Sequence, residues 1–137
     1  MDVSGLWYNE LNSTMELAVN GKQLTGRYVS AVGQAQGPYE LTGFLDVDDA
    51  SPTLGWVVVW KNARAYAQSV TAWAGQAQTA GGEELIDTTW LLTRSTAVQE
   101  DWESMMIGKD LFRRVRASAE EVHKAKALRG IRSGAGG

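Results

Sequence analysis

Hydroxyls and indoles share one face of the stretch from Leu54 to Trp73. Ala67, Ser69, Thr71 and Trp73 have the same parity there, and Trp60 precedes them in a β-branched, aromatic run. Residues two apart lie on the same side of a strand. A hairpin through Asn62-Ala-Arg-Ala65 would therefore set Trp60 beside Ser69, Thr71 and Trp73. A purely structural face would not mix hydroxyls with indoles. The mixture suits a small ligand with an apolar body and polar edges. The same parity rule collects Asn9, Leu11 and Ser13, then Tyr28 and Ser30, then Trp90 and Leu92, and finally Asp110. The polar members are neutral donors and acceptors plus one carboxylate, a set for hydrogen bonding rather than bond breaking. Buried polar groups require partners. A ligand, ordered water or a side-chain network would each supply them.

Other chemistries fit poorly. A Ser-His-Asp arrangement needs an imidazole near the serine, and the single histidine, His123, sits in a basic C-terminal stretch. Cysteine is absent, so no thiol nucleophile or Cys-based metal site exists. Paired carboxylates for glycoside cleavage would need Asp110 with Glu16 or Asp87, yet both of those have outward parity. Gly81-Gly82 precedes a strand pattern, not a phosphate-binding helix. Asn12-Ser13-Thr14 matches an N-glycosylation acceptor, though an inward Ser13 would make it cramped.

The elements that must position these residues are strands. Leu6–Leu11, Thr14–Val19, Gln23–Val32 and Tyr39–Val47 alternate with turn-rich segments. Asn20-Gly21 signals a type I′ hairpin. The Leu54 stretch supplies a fifth strand and a sixth running toward Gln78, followed by Glu84–Thr93 and Met105–Val115. Ser95–Asp101 reads as a polar loop leading into Trp102. Eight strands with short connections predict an all-β fold, an eight-stranded antiparallel up-and-down β-barrel, which can enclose one small ligand. The barrel should span residues 1–116. A short tail, 117–137, should open with the capping box Ser118-Ala-Glu-Glu121 and a helix to Leu128, and end in glycine.

Composition is consistent with this. The 137 residues suit one domain with a modest core. The net charge of −3 conceals a balance of −8 over residues 1–108 (5 basic, 13 acidic) and +5 over 109–132 (8 basic, 3 acidic). The basic end reads as a solvated tail, so no nucleic-acid partner is expected. No apolar run approaches the roughly 18 residues of a spanning helix, and no membrane partner is expected. Residues 1–8 lack a signal-peptide pattern, which leaves a cytoplasmic chain or a mature secreted one.

Six segments, in order, resemble the avidin and streptavidin family of biotin-binding barrels. They are Gly5-Leu-Trp-Tyr-Asn-Glu-Leu-Asn-Ser13, Leu24-Thr-Gly-Arg-Tyr-Val-Ser-Ala-Val-Gly33, Leu54-Gly-Trp with Trp60-Lys-Asn62, Ser69-Val-Thr-Ala-Trp-Ala-Gly-Gln76, Thr89-Trp-Leu-Leu-Thr93, and Trp102-Glu-Ser with Gly108-Lys-Asp110. The resemblance covers about residues 5–116. It implies a non-enzymatic protein that binds biotin tightly and without a cofactor, and so sequesters it. Asn9, Ser13 and Tyr28 would donate to the ureido oxygen, and Ser30 and Asp110 would accept from the ureido N–H groups. Thr71 would approach the sulfur, and Ser69 with the backbone near Gln34 would hold the carboxylate. Trp60, Trp73, Trp90, Leu11 and Leu92 would pack around the ring and chain, with Val32 and Ala67 completing the lining. The resemblance further implies a homotetramer in which Trp102 completes a neighbour's pocket. Gln34 and Lys109 depart from the streptavidin pattern, which has Asn and His there. The competing expectation is a lipocalin-like carrier of another small apolar ligand. That reading gives the polar residues no reason to share a face.

Overall fold

The computed structural model of the protein describes residues 1–31, 37–46, 50–61 and 68–129, with backbone alone at 101–103 and 129. The strands are β1 (Gly5–Tyr8), β2 (Thr14–Asn20), β3 (Gln23–Val29), β4 (Tyr39–Leu45), β5 (Thr53–Lys61), β6 (Gln68–Ala80), β7 (Glu83–Arg94) and β8 (Met105–Arg113). Each pairs antiparallel with the next, and β8 returns to β1 to close the barrel. The closing seam is a single registered pair, Tyr8 opposite Arg113. Side chains extend it. Leu111 N donates to Glu10 Oε2 at 3.1 Å, and Arg114 Nη1 donates to the carbonyls of Ser4 (2.9 Å) and Leu6 (3.1 Å). These bonds occupy backbone groups that a short β1 would leave open.

The turns explain where the strands stop. The β2–β3 loop is Gly21-Lys22, between the paired Asn20 and Gln23. Gly21 has φ +62°, and Asn12 is the one described non-glycine residue with positive φ. Positive φ at the first loop position alone is the II′ pattern, not the expected I′, because Asn20 belongs to the strand rather than to the loop. Gly81 and Gly82, at φ +58° and +78°, make the β6–β7 loop instead. The expected first strand to Leu11 ends at Tyr8. There Asn9 Oδ1 accepts from Leu11 N (3.0 Å) and Ser13 N (2.9 Å), and Asn12 adopts φ +62°. A side chain that satisfies two backbone donors favours a turn over continued strand. The expected loop at Ser95–Asp101 is mostly a short 3₁₀ helix, Val98–Glu103.

Alternation governs burial. In β5, Leu54, Trp56, Val58 and Trp60 are buried while Thr53, Val57, Val59 and Lys61 are exposed. Cross-strand register sets Trp56 opposite Trp73, Trp73 opposite Trp90, and Trp90 opposite Gly108, one transverse row around the wall. Val3, Trp7, Met15, Leu24, Ile86 and Phe112 add fully buried apolar groups. Trp7 Nε1 donates to Val3 O at 2.8 Å, and the Arg114 guanidinium stacks 3.8 Å from the Trp7 ring centre. That cation–π contact contributes on the order of 1 kcal/mol. Beyond β8, α1 (Ala119–Arg129) starts with the expected capping box. Glu121 N donates to Ser118 Oγ (3.1 Å) and Ser118 N to Glu121 Oε1 (2.9 Å). Residues 130–137, expected as a glycine-rich end, and the Asn62–Ala65 connection lie outside the described residues.

Candidate functional site

The Asn9–Ser13 turn delivers three inward side chains. Asn9, Leu11 and Ser13 are all buried, at 2%, 2% and 0% exposure. Asn9 spends its oxygen on the turn and turns its Nδ2 toward Tyr28 OH, 3.5 Å away. Ser13 Oγ accepts from Ala31 N at 2.9 Å, tying the end of β3 to the same turn. Ser30 stands beside this bond, half-buried, two residues beyond Tyr28. The local sequence thus folds polar tips inward because the turn consumes the backbone donors that would otherwise compete for them.

Indoles form the adjoining wall. The Tyr28 ring centre lies 5.0 Å from Trp73, 5.7 Å from Trp60 and 6.4 Å from Phe112. Two indoles are anchored through their N–H groups. Trp60 Nε1 donates to Thr71 Oγ1 at 2.8 Å, and Trp73 Nε1 donates to Asp110 Oδ2 at 2.9 Å. Asp110 is 1% exposed, and its own backbone is held by Thr88 Oγ1, which donates to Asp110 O at 2.8 Å. Rings locked by both packing and hydrogen bonds lose little freedom when a ligand arrives.

Two polar atoms in this half of the barrel have no partner among the described residues. Ser69 Oγ and Trp90 Nε1 are buried and unbonded. Ser69 pairs in register with Trp60, and Trp90 with Trp73. Orphaned buried polar groups are uncommon, and each calls for an explanation such as a water or a ligand. Trp56 Nε1 is likewise unbonded, deeper among Trp73 (5.6 Å, stacked) and Phe112 (5.7 Å, edge-on).

Contacts and register bring Asn9, Tyr28, Trp60, Ser69, Thr71, Trp73, Trp90, Leu92 and Asp110 together in the barrel interior, with Leu11 and Ser13 buried in the Asn9 turn and Ser30 half-buried two residues past Tyr28. Val32, Gln34 and Ala67 fall outside the described residues, as does the side chain of Trp102. Glu16 and Asp87 are exposed, so neither joins Asp110 in a carboxylate pair. Among the described residues, no group of three His, Cys, Asp or Glu side chains could hold a metal. Three supporting residues are not among the candidate site residues of the sequence. Parity puts Thr88 on the face of Trp90 and Leu92, and Trp56 on that of Trp60. Asn12 does not announce its role. Its side chain brackets Ala117, donating to Ala117 O at 3.0 Å and accepting from Ala117 N at 2.9 Å. The amide of the candidate glycosylation site is thus engaged with the tail.

The paired charged groups whose pKa values are clearly shifted sit on β8 and in the tail. Glu83 bonds Arg113 and holds its guanidinium pKa above the ordinary value. The Ser118 backbone N–H holds the Glu121 carboxyl below the usual range.

The barrel is closed and antiparallel, and its interior holds fixed indoles, neutral polar groups and the Asp110 carboxylate. The sequence profile of the Avidin family matches residues 1–115, and the chain belongs to that family. It is 32% identical to avidin of Gallus gallus over 127 residues, covering 86% of this chain and 81% of avidin. It is 32% identical to afifavidin of Afifella pfennigii over 126 residues, covering 89% and 75%. Fibropellin-1 of Strongylocentrotus purpuratus is 31% identical over 122 residues, which cover 85% of this chain and 11% of that longer protein.

Proposed function

We propose that this chain binds biotin, tightly and without covalent chemistry, inside the barrel. Membership of a biotin-binding family supports the ligand class. The observation that carries the reading is the pair of buried atoms Ser69 Oγ and Trp90 Nε1, without a partner among the described residues, beside the polar set around Asn9, Ser13, Tyr28 and Asp110. Asn9 Nδ2 and the hydroxyls of Ser13 and Tyr28 are donors for one ureido oxygen. The Asp110 carboxylate accepts from Trp73 through Oδ2, and in this reading the same carboxylate also accepts a ureido N–H. Three donors facing one carboxylate suit a polarised ureido group. Trp60, Trp73 and Trp90 flank the bicyclic ring, and Ser69 meets the valerate carboxylate. Gln34 would contribute a backbone N–H there, with Val32 and Ala67 in the lining. We read the protein as a binding module whose biological effect is retention of biotin. Isothermal titration with biotin and quenching of tryptophan fluorescence test this. Saturable binding of one biotin per chain is expected, and no heat or quenching at micromolar biotin would end the proposal.

Self-association belongs to the same reading. On the outer wall, Val57, Leu91 and Ile107 lie in one row, and Val59, Val70 and Met105 in the next. Their exposures run from 37% for Leu91 to 73% for Ile107. A contiguous apolar surface across four strands favours burial against a second copy. Lys109 edges this patch, next to Thr89. Trp102, on the short helix before β8, would complete a neighbour's pocket in a tetramer. Ile107→Arg is expected to shift sedimentation toward smaller species. An unchanged sedimentation coefficient would remove this patch from the interface.

A further inference from the structure

The inner face of β8 treats three neighbouring indoles in three ways. Phe112 packs edge-on to Trp56, Asp110 accepts from Trp73, and Gly108 offers Trp90 no side chain at all. Gly108 is not required by its backbone, because its φ is not in the left-handed region. Nor does another strand crowd it. A Cβ built there would lie 2.2 Å from Trp90 Cζ2, 2.5 Å from Cε2 and 2.9 Å from Cη2. At Gly26 and Gly43, by contrast, the nearest atoms are backbone carbonyl oxygens of the neighbouring strand. The space left empty at Gly108 is therefore filled by one side chain, the indole of Trp90.

We propose that Gly108 is a positioning residue of the pocket: its missing side chain lets the Trp90 indole lie against the β8 backbone, and this sets how far that wall stands from the ligand. The indole is rigid and 7% exposed, with no flexible end that could absorb a shift of an ångström or more. A methyl at residue 108 would push the ring off β8. Trp73 is its register partner on the other side, so the movement would be toward the interior. Side chains in a close-packed interior resist added volume, and overpacking shows as altered ring geometry.

The inference deepens the biotin reading and rests on it only for its affinity arm. Gly108→Ala should raise the biotin Kd by about tenfold or more. In a Trp90→Phe background, which removes the outer ring of the indole, the same change should alter Kd by less than about threefold. A second readout needs no ligand. The near-ultraviolet circular dichroism of the unliganded protein should change on Gly108→Ala when Trp90 is present and stay constant in the Trp90→Phe background. Equal losses in both backgrounds would mean that the glycine serves the backbone, and would overturn the proposal. So would a Gly108→Ala variant with the parent's spectrum. If Gly108→Ala fails to fold, a folded Trp90→Phe/Gly108→Ala double variant supports the proposal, and misfolding of both refutes it. If the parent protein binds no biotin, the biotin reading fails alone and the spectra still decide the role of Gly108.

Discussion

Asp110→Asn and Asp110→Ala should separate what the carboxylate does for the fold from what it does for the ligand. Asp110 is 1% exposed and receives the Trp73 indole N–H at 2.9 Å. Alanine would leave that N–H buried without an acceptor, a cost of about 1–3 kcal/mol. Relief of the buried charge would offset part of it. Asparagine keeps one oxygen for Trp73, so it should cost the unliganded protein less stability than alanine does. Binding should respond differently. A hydrogen bond to a charged group contributes about 1.5–3 kcal/mol. At about 1.4 kcal/mol per decade, its loss corresponds to a Kd raised roughly ten- to hundredfold. Asparagine has a single oxygen. If Trp73 takes it, the ureido N–H meets an NH₂ group instead. Both variants should therefore lose affinity, and alanine should lose more stability than asparagine. Thermal melts without ligand and calorimetric titration with biotin measure the two effects. An Asp110→Asn variant that binds within about threefold of the parent would refute the assignment of the Asp110 carboxylate to a ureido N–H.

Three further outcomes follow from the same contacts. Thr71→Val removes the acceptor of Trp60 Nε1 at constant shape, so it should destabilise the barrel by about 1–3 kcal/mol in urea denaturation, with Thr71→Ser costing less. Asn12 combines φ +62° with the two bonds to Ala117; Asn12→Ala should cost about 1–3 kcal/mol and Asn12→Gly less, since glycine relieves the backbone, and equal losses would place the whole effect in the side chain. The Glu121 carboxyl is held below 4.5 by the Ser118 backbone N–H. A depressed folded-state pKa contributes above the unfolded value and is lost as pH falls through the folded one. Helical ellipticity from α1 should thus decline as pH falls below the ordinary glutamate range, and decline less in Glu121→Gln, where the capping bond does not titrate.

Period-two alternation made much of this protein readable in advance. It placed Ser69, Thr71 and Trp73 on the inner face and Glu16 and Asp87 outside, because in a closed barrel each strand has one wet and one dry side. The same rule excluded paired-carboxylate chemistry before any coordinate was known. The Ser118-Ala-Glu-Glu121 box named its helix because capping is local, satisfied within four residues.

Other features depended on partners distant in sequence. β1 stops at Tyr8 because Asn9 captures two backbone donors, a choice that alternation alone does not encode. The barrel closes through Glu10 reaching Leu111 and Arg114 reaching Ser4 and Leu6, about a hundred residues away. That Asp110 anchors the Trp73 indole, at 2.9 Å, was not legible in the sequence. Gly108 read as a blank among strand residues until the Trp90 indole filled the space beside it. A sequence specifies which face each side chain takes, since that follows from the backbone's own repeat. Which indole meets which hydroxyl, carboxylate or empty position follows from register and barrel closure, and only the folded chain sets those.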